Sequence, residues 1–510
     1  MAAGRSAPPR ACYDSDKMPP KRREAGARAS DRPGATSGLP DRILKLRFER
    51  GSLRLDAPSG IDVPSYMTWD DRVAAWRTEA LNHVRLIDDF ASRGLRVRDE
   101  ATAFFECPTL DPGLPPLRPD QEEALTAWDR AGRRGVIVKP TGTGKTEIAL
   151  AAIARHRVSA LIVAPLRDLM YQWQRRIRQS LGAEAGVLGD ARHEVWPITV
   201  TTYDSAWIHM KDIGNRYRLI IYDEAHHLPG AALHESALDS LAPMRLGLTA
   251  TPERADGRDR MLIELIGPFV FTERLPQARG RTLAHYAIIR VPIYLTEAEQ
   301  AEFDRLSRAI RAYVARRRRE DGAFDWKEDL TKLSRTDPEA KAILRSYHRK
   351  LALIHRSAEK LRVVEDVLRL HPNEQCVIFT ASNRMALDVS ARFLIPALTS
   401  HSDKRERNAV LDRFARGAYR ALAACQVLNE GWDAPAVKVG IVLGGERGTR
   451  EAVQRLGRLL RRSGDRPARL YEVVVEETPD VARARRRSRT DAYQSATRLS
   501  LGQAQQLDLL

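Results

Sequence analysis

Gly135-Val-Ile-Val-Lys-Pro-Thr-Gly-Thr-Gly-Lys-Thr146 decides how this chain is read. An apolar run of strand type, Gly135 to Val138, gives way to a Gly-rich turn. The turn then opens the helical pattern Glu147-Ile-Ala-Leu-Ala-Ala-Ile153. Strand, glycine turn and helix N-terminus together make a phosphate loop: glycines let backbone N–H groups close around phosphate oxygens, and the helix dipole adds to the attraction. In such a loop Pro140, Thr141, Gly142, Thr143 and Gly144 form the cradle. Lys145 would reach the β- and γ-phosphates of a nucleotide, and the Thr146 hydroxyl would ligate Mg2+. The strict pattern begins with Gly, and here Lys139 stands in its place.

Working outward, Leu219-Ile-Ile-Tyr-Asp-Glu-Ala-His226 is a second apolar strand, and it ends in two carboxylates. That places Asp223 and Glu224 at the carboxyl edge of a parallel sheet, beside the phosphate loop. Asp223 can hold Mg2+, which leaves Glu224 to orient and deprotonate a water. Further strand-like runs (Ala160–Ala164, Ile198–Val200, Leu246–Leu248) alternate with helical patterns. A second such series holds Cys376–Phe379, Val439–Leu443 and Tyr471–Val474. Buried strands between helices indicate a parallel sheet covered on both faces. The fold class is therefore α/β, with two such domains and a charged helical insertion between them.

The N-terminal part has a different texture. Residues 1–38 carry almost no bulky apolar side chains and read as a disordered basic tail. From Ile43, period-2 alternation on both sides of Arg50-Gly51 predicts a β-hairpin, and Leu81, Val84, Ile87 and Phe90 predict a helix stopped at Gly94. The expected organisation is a small α+β domain over 39–112, a first α/β domain over 113–280 and a linker with insertion over 281–355. A second α/β domain over 356–485 and a basic tail over 486–510 complete it.

Lys plus Arg number 84 and Asp plus Glu 67, a net charge of +17 that suits a polyanionic partner, nucleic acid first. Only 13 of those cations are Lys, which reads as codon bias before function. The four cysteines form no CxxC pair, so neither a zinc site nor a disulfide framework is expected. No stretch has the length and apolarity of a membrane span, nor the start of the chain those of a secretory signal. A cytoplasmic, nucleoid-associated location is expected in a prokaryote, and a nuclear one in a eukaryote.

These motifs, with their neighbours in order, resemble those of the superfamily 2 DEAH-box helicases and translocases. Leu117-Arg-Pro-Asp-Gln-Glu-Glu-Ala-Leu125 resembles the adenine-reading segment, which implies Gln121 and Arg118 at the base. Ala164 to Trp173 and Thr201-Thr-Tyr-Asp204 are similar to segments lining the nucleic-acid track, which implies Pro165, Arg167, Thr201, Thr202 and also Thr380 along a strand. Thr249-Ala-Thr251 resembles the motif that couples hydrolysis to movement, with His226 as its link to Glu224. In the second domain Val427 to Pro435 implies Gly431 and Asp433 at the nucleotide, and Gln454 to Arg461 resembles the arginine-finger helix, with Gln454, Arg458 and Arg461 catalytic.

Asp-Glu-Ala-His-His, Ala-Thr-Pro-Glu-Arg-Ala-Asp-Gly and Leu-Asn-Glu-Gly-Trp-Asp-Ala-Pro bring the likeness nearest to the XPB-type DNA repair helicases. The resemblance implies two RecA-like domains in tandem, an ATP-dependent motor on single-stranded or forked DNA, and a monomer. It also implies a damage-sensing role for 39–112 and a thumb-like insertion. A restriction or antiphage motor working with a separate nuclease partner, an RNA helicase, and an ATP-gated clamp or scaffold that turns over rarely are the alternatives; the intact Lys145, Glu224, Arg458 and Arg461 argue against the last. The chain carries no convincing nuclease motif of its own.

Overall fold

The structure is a computed structural model. It describes residues 44–500 except 59, 231, 253–255, 279–284, 327, 426–436, 445–466, 489–492 and 494–495. Three sheets organise them. The expected hairpin is present as β1 (Leu44–Glu49) and β2 (Ser52–Asp56), paired antiparallel with Glu49 opposite Ser52. β3 (Thr68–Asp70) and β4 (Ala75–Glu79) extend it on one side. Helix α1 (His83–Ser92) follows, and β5 (Val97–Asp99) closes the other edge, giving the order β3-β4-β2-β1-β5. The sequence does not announce β3 and β4. They are short, and Trp69 and Trp76 hold them together edge-to-face at 5.4 Å.

The first motor sheet begins after α2 (Pro119–Arg130) with β6 (Arg134–Val138), followed by α3 (Lys145–His156), β7 (Ala160–Ala164) and α4 (Arg167–Leu181). Next come β8 (Gly186–Gly189), β9 (Arg192–His193), β10 (Ile198–Thr202), α5 (Tyr203–Ile213), β11 (Leu219–Asp223), β12 (Met244–Thr249) and β13 (Phe269–Thr272). The order is β13-β6-β12-β11-β7-β10-β8-β9. Central strands β7, β11 and β12 are buried along their whole length, as a sheet covered on both faces requires.

The second sheet departs from the sequence-based boundaries. β14 (Tyr286–Ile293) falls in what reads as linker, yet it pairs along its full length with β19 (Ala468–Val475). The charged helices α6 (Glu297–Glu320), α7 (Pro338–His355) and α8 (Ala358–Leu370) come after this strand, so the chain enters the second sheet before it makes the insertion. β15 (Cys376–Thr380), β16 (Ala397–Leu398), β17 (Ala421–Cys425) and β18 (Val439–Val442) continue the sheet. β20 (Thr497–Ser500), inside the stretch read as a tail, closes the order β16-β17-β15-β18-β19-β14-β20.

The N-terminal sheet is fastened to the first motor sheet. Ala103 N–H donates to Asn215 C=O (3.1 Å) and Phe105 N–H to Arg216 C=O (2.8 Å), and Leu241 joins the N-terminal core. Gly51, at φ +84°, lies against Asp239, where a Cβ would stand 2.4 Å from the carboxyl carbon. Burial, with the Glu235 charge second, pushes the Asp239 carboxyl up to about 6. An acid raised above its unfolded value weakens the fold once the pH exceeds the folded value, and this cost vanishes below the unfolded one. Asp239→Asn should therefore raise the thermal midpoint by a few degrees at about pH 7.5 and give no gain near about pH 4. Thermal melts of both proteins at the two pH values measure this.

Candidate active site

The site is built at the carboxyl ends of β6, β11 and β12. β6 delivers the chain into the turn, where Gly142 (φ +83°) and Gly144 (φ +81°) take left-handed conformations, and α3 starts at Lys145. Lys145 is buried, with its ammonium donating to Lys139 C=O at 3.2 Å. Thr146 is half-buried in the first turn of α3. The Thr143 hydroxyl is not free for a ligand: it is buried and donates to Pro140 C=O at 2.7 Å, bracing the loop from within.

Arg118 and Gln121 lie against this loop. Gln121 Nε2 donates to Gly144 C=O (3.1 Å), and Arg118 donates to Thr143 C=O. A Cβ at Gly144 would fall 2.2 Å from Gln121 Nε2, so the glycine is needed for close approach as well as for its φ. Lys139, the departure from the strict loop pattern, is fully buried. Its ammonium binds Asp120 Oδ2 (2.8 Å) and Glu273 Oε2, joining the segment before the loop to the end of β13. Burial alone would raise the Asp120 carboxyl, but the bonds from Lys139 and Arg118 hold it below its ordinary value.

The carboxylate pair faces the loop from β11. Asp223 Oδ2 accepts from Trp173 Nε1 at 2.8 Å, and Oδ1 accepts from Glu224 N–H at 3.0 Å. Glu224 is held at φ +48°, and the Tyr203 hydroxyl donates to Asp223 C=O at 3.0 Å. Burial and the adjacent Glu224 charge push the Asp223 carboxyl up. Burial opposes ionisation of Glu224 as well, but Lys145 and His226 outweigh it and hold that carboxyl low. His226 Nδ1 stands 3.4 Å from Glu224 Oε2 and 3.2 Å from Thr249 Oγ1. The Thr249 hydroxyl in turn donates to Thr251 C=O (3.1 Å), so a continuous path joins Glu224 to Thr251. Thr141 Oγ1 and Thr251 Oγ1 are buried and lack a hydrogen-bond partner among the described residues, and the buried Glu224 Oε2 has only its 3.4 Å contact with His226. Donors and acceptors left open around a buried ammonium fit a triphosphate and a hydrated divalent cation.

The residues expected on the nucleic-acid track divide. Pro165 is half-buried and Arg167 exposed, the latter paired with Asp190 Oδ1 at 2.8 Å. Thr202 caps α5 through its side chain. Thr201 and Thr380 are both fully buried. Their hydroxyls donate to Leu188 C=O (2.7 Å) and Ser382 C=O (3.1 Å), so both are turned to the protein's own backbone. Gly431, Asp433, Gln454, Arg458 and Arg461 lie outside the described residues. Sequence reading missed Lys139, Glu273, Trp173 and Tyr203 as parts of the site. Only the unexpected Lys in the loop pattern was a signal for any of them.

A phosphate loop and a paired carboxylate on one parallel sheet, with a second parallel sheet in the same chain, define a superfamily 2 motor ATPase with tandem RecA-like domains. Residues 114–254 match the family described as type III restriction enzyme, res subunit, and residues 359–463 the helicase conserved C-terminal domain. Residues 46–101 match the xeroderma pigmentosum group B helicase damage recognition domain. The chain is 35% identical over 445 residues to the DNA 3'-5' translocase XPB2 of Sulfurisphaera tokodaii, covering 87% of this chain and 100% of that protein. It is 32% identical to the DNA 3'-5' helicase XPB of Kineococcus radiotolerans, over 74% of this chain and 63% of that longer protein. In fold it is similar to yeast Dbp5 bound to RNA and ADP BeF3, at TM-score 0.52 and 15% identity, over 77% of this chain and 92% of that one. The chain belongs to the XPB family of ATP-dependent DNA helicases and translocases.

Lys139→Met should leave Asp120 and Glu273 buried without their cation, a loss of about 3–5 kcal/mol. Chemical denaturation should show it, with much of the loss recovered when Asp120→Asn and Glu273→Gln are added.

Proposed function

We propose that this chain hydrolyses ATP with Mg2+ to move 3' to 5' along one DNA strand and part the duplex ahead of it. The observation that carries the reading is the Asp223–Glu224 pair set beside Lys145 and joined through His226 and Thr249 to Thr251. The polarity is that of the relatives named above. Mg2+ bound at Thr146 and Asp223 would neutralise phosphate charge and align the γ-phosphoryl group.

In this reading the loop's N–H groups hold the phosphates, and Lys145 leaves the Lys139 carbonyl for them. Arg118 and Gln121 read the adenine while touching the loop. Glu224, kept ionised, takes a proton from the attacking water. His226, Thr249 and Thr251 carry the change in Glu224's surroundings toward the strand. Pro165, Arg167 and Thr202 border that strand. From the second domain Gly431 and Asp433 approach the nucleotide, with Gln454, Arg458 and Arg461 supplying the γ-phosphate side; such arginines are worth roughly 10³ to 10⁵ in rate. Residues 39–112 serve as a DNA-reading domain, 113–280 and 356–485 as the motor domains with 286–293 added to the second, and the helices of 297–355 as a thumb-like element. Described helices include none long and apolar enough to cross a membrane.

Lys145→Ala should lose ATP hydrolysis together with nucleotide affinity. Glu224→Gln should keep the affinity and lose turnover, because phosphate contacts survive while water activation does not. Steady-state ATPase and fluorescent-nucleotide titration separate the two, and parental turnover in Glu224→Gln would refute the assignment.

DNA affinity should fall log-linearly with salt and vary little with base composition, since phosphate contacts release counterions and carry no sequence information. Anisotropy titrations across a salt series measure both.

A further inference from the structure

Asp223 and Glu224 are held by two elements that begin at the track-bordering turns. After Pro165, α4 starts with exposed Arg167 and turns its inner face, Met170, Trp173, Ile177 and Leu181, to the core. Trp173 is 2% exposed, and its indole N–H ends on Asp223 Oδ2 at 2.8 Å. After Thr202, α5 starts with Tyr203, 3% exposed, whose hydroxyl donates to Asp223 C=O at 3.0 Å and lies 3.4 Å from Glu224 C=O. The tyrosine ring also stacks on Tyr222 (6.1 Å) and meets His227 (5.8 Å).

The two donors divide the work. Trp173 fixes the side chain of Asp223. With Glu224 N–H on the other oxygen, each carboxylate oxygen holds one hydrogen bond and keeps a lone pair directed elsewhere. Tyr203 fixes the backbone of the same dipeptide, at the point where Glu224 must sit at φ +48°. Such a left-handed non-Gly residue persists only where its surroundings over-determine it.

We infer that Trp173 and Tyr203 are positioning residues that couple strand occupancy to hydrolysis: a DNA strand moving the start of α4 or α5 changes the aim of Asp223 and Glu224 through these two hydrogen bonds. The inference rests on the reading of Asp223 as the metal-holding residue and Glu224 as the water-activating one. It adds a direct path from the track to the carboxylates, separate from the His226–Thr249–Thr251 path.

The test uses the full chain with Trp173→Phe and Tyr203→Phe, which remove one N–H and one O–H and keep an aromatic ring. The ratio of DNA-stimulated to DNA-free ATPase should drop roughly 10-fold in each, as changes behind a ligating group do. A second readout is Mg2+ titration of fluorescent-nucleotide binding. Trp173→Phe should need severalfold more Mg2+, because it frees the carboxylate, whereas Tyr203→Phe should not, because the hydroxyl it removes holds the dipeptide's backbone carbonyls and not a carboxylate. Nucleotide affinity without Mg2+ and DNA affinity should match the parent in both. Tyr203→Phe leaves the ring in place and carries the test alone if Trp173→Phe melts early. Parental DNA stimulation in Tyr203→Phe, or a loss of stimulation that only tracks a lost melting temperature, overturns the coupling. Failure of the underlying site reading appears elsewhere, as retained turnover in Glu224→Gln.

Discussion

Two consecutive carboxylates, Asp223 buried and Glu224 largely so, set the terms for the centre of this molecule. Asp223 and Glu224 repel one another, and at about 4 Å two such charges oppose each other by roughly 4 kcal/mol even with substantial screening. The fold resolves this by giving them unequal surroundings. Glu224 faces Lys145 and His226 and stays ionised, whereas Asp223 receives neutral donors, Trp173 Nε1 and the Glu224 amide. One dipeptide thereby presents two acids in chemically distinct surroundings.

The same dipeptide fixes where the backbone must be strained. Glu224 at φ +48° costs on the order of 1–3 kcal/mol, and Tyr203 and the Asp223 side chain supply the hydrogen bonds that hold it there. The phosphate loop meets a similar demand with glycine. Gly144 takes its left-handed turn without strain, and its missing side chain is also what lets Gln121 reach the loop carbonyl. Lys145 rests on Lys139 C=O, so the loop is closed on its own cation rather than on a carboxylate. A carboxylate partner would have to be stripped away before phosphate could bind, whereas a carbonyl contact is readily exchanged.

What was legible in the sequence is local. The strand, loop and helix around Lys145 run without a break from Arg134 to His156, and the strand ending in Asp223-Glu224 announces itself by an apolar run meeting two acids. The contacts that hold the site join distant positions, and no period or spacing reveals them. Lys139 meets Asp120 from 19 residues away and Glu273 from 134, and Trp173 meets Asp223 across 50. Trp173 shares a helical stripe with Met170 and Ile177, so from sequence it is one core residue among several. β14 was hidden for a related reason. Its partner β19 lies 182 residues downstream at Tyr286–Ala468, and the charged helices after it give the region the texture of an insertion. Where the Thr201 and Thr380 hydroxyls point was not legible either, because a threonine at a strand end looks alike whether its hydroxyl faces solvent or returns to a backbone carbonyl, as both do.

Net charge was the bluntest of the sequence signals, and the structure shows how unevenly it can be spent. On the N-terminal sheet Arg47, Arg54 and Arg77 stand opposite one another across three strands, an arrangement that composition would count as a phosphate-gripping row. Each is already engaged: Arg47 with Asp56 and Glu100 (both 3.1 Å), Arg54 with Asp56 (3.0 Å), and Arg77 with Asp70 (3.1 Å) and Glu49. Such half-buried pairs at the surface add modest stability, but they cancel the local field. A phosphate would have to displace a carboxylate at every step along that face. On the insertion, Arg316 and Arg317 are likewise paired, with Glu339 and Asp337, while Arg318 and Arg319 at the end of the same helix are exposed. Long-range attraction of a polyanion depends on cations not matched by a carboxylate, so the row of arginines on the N-terminal sheet contributes less than its count implies.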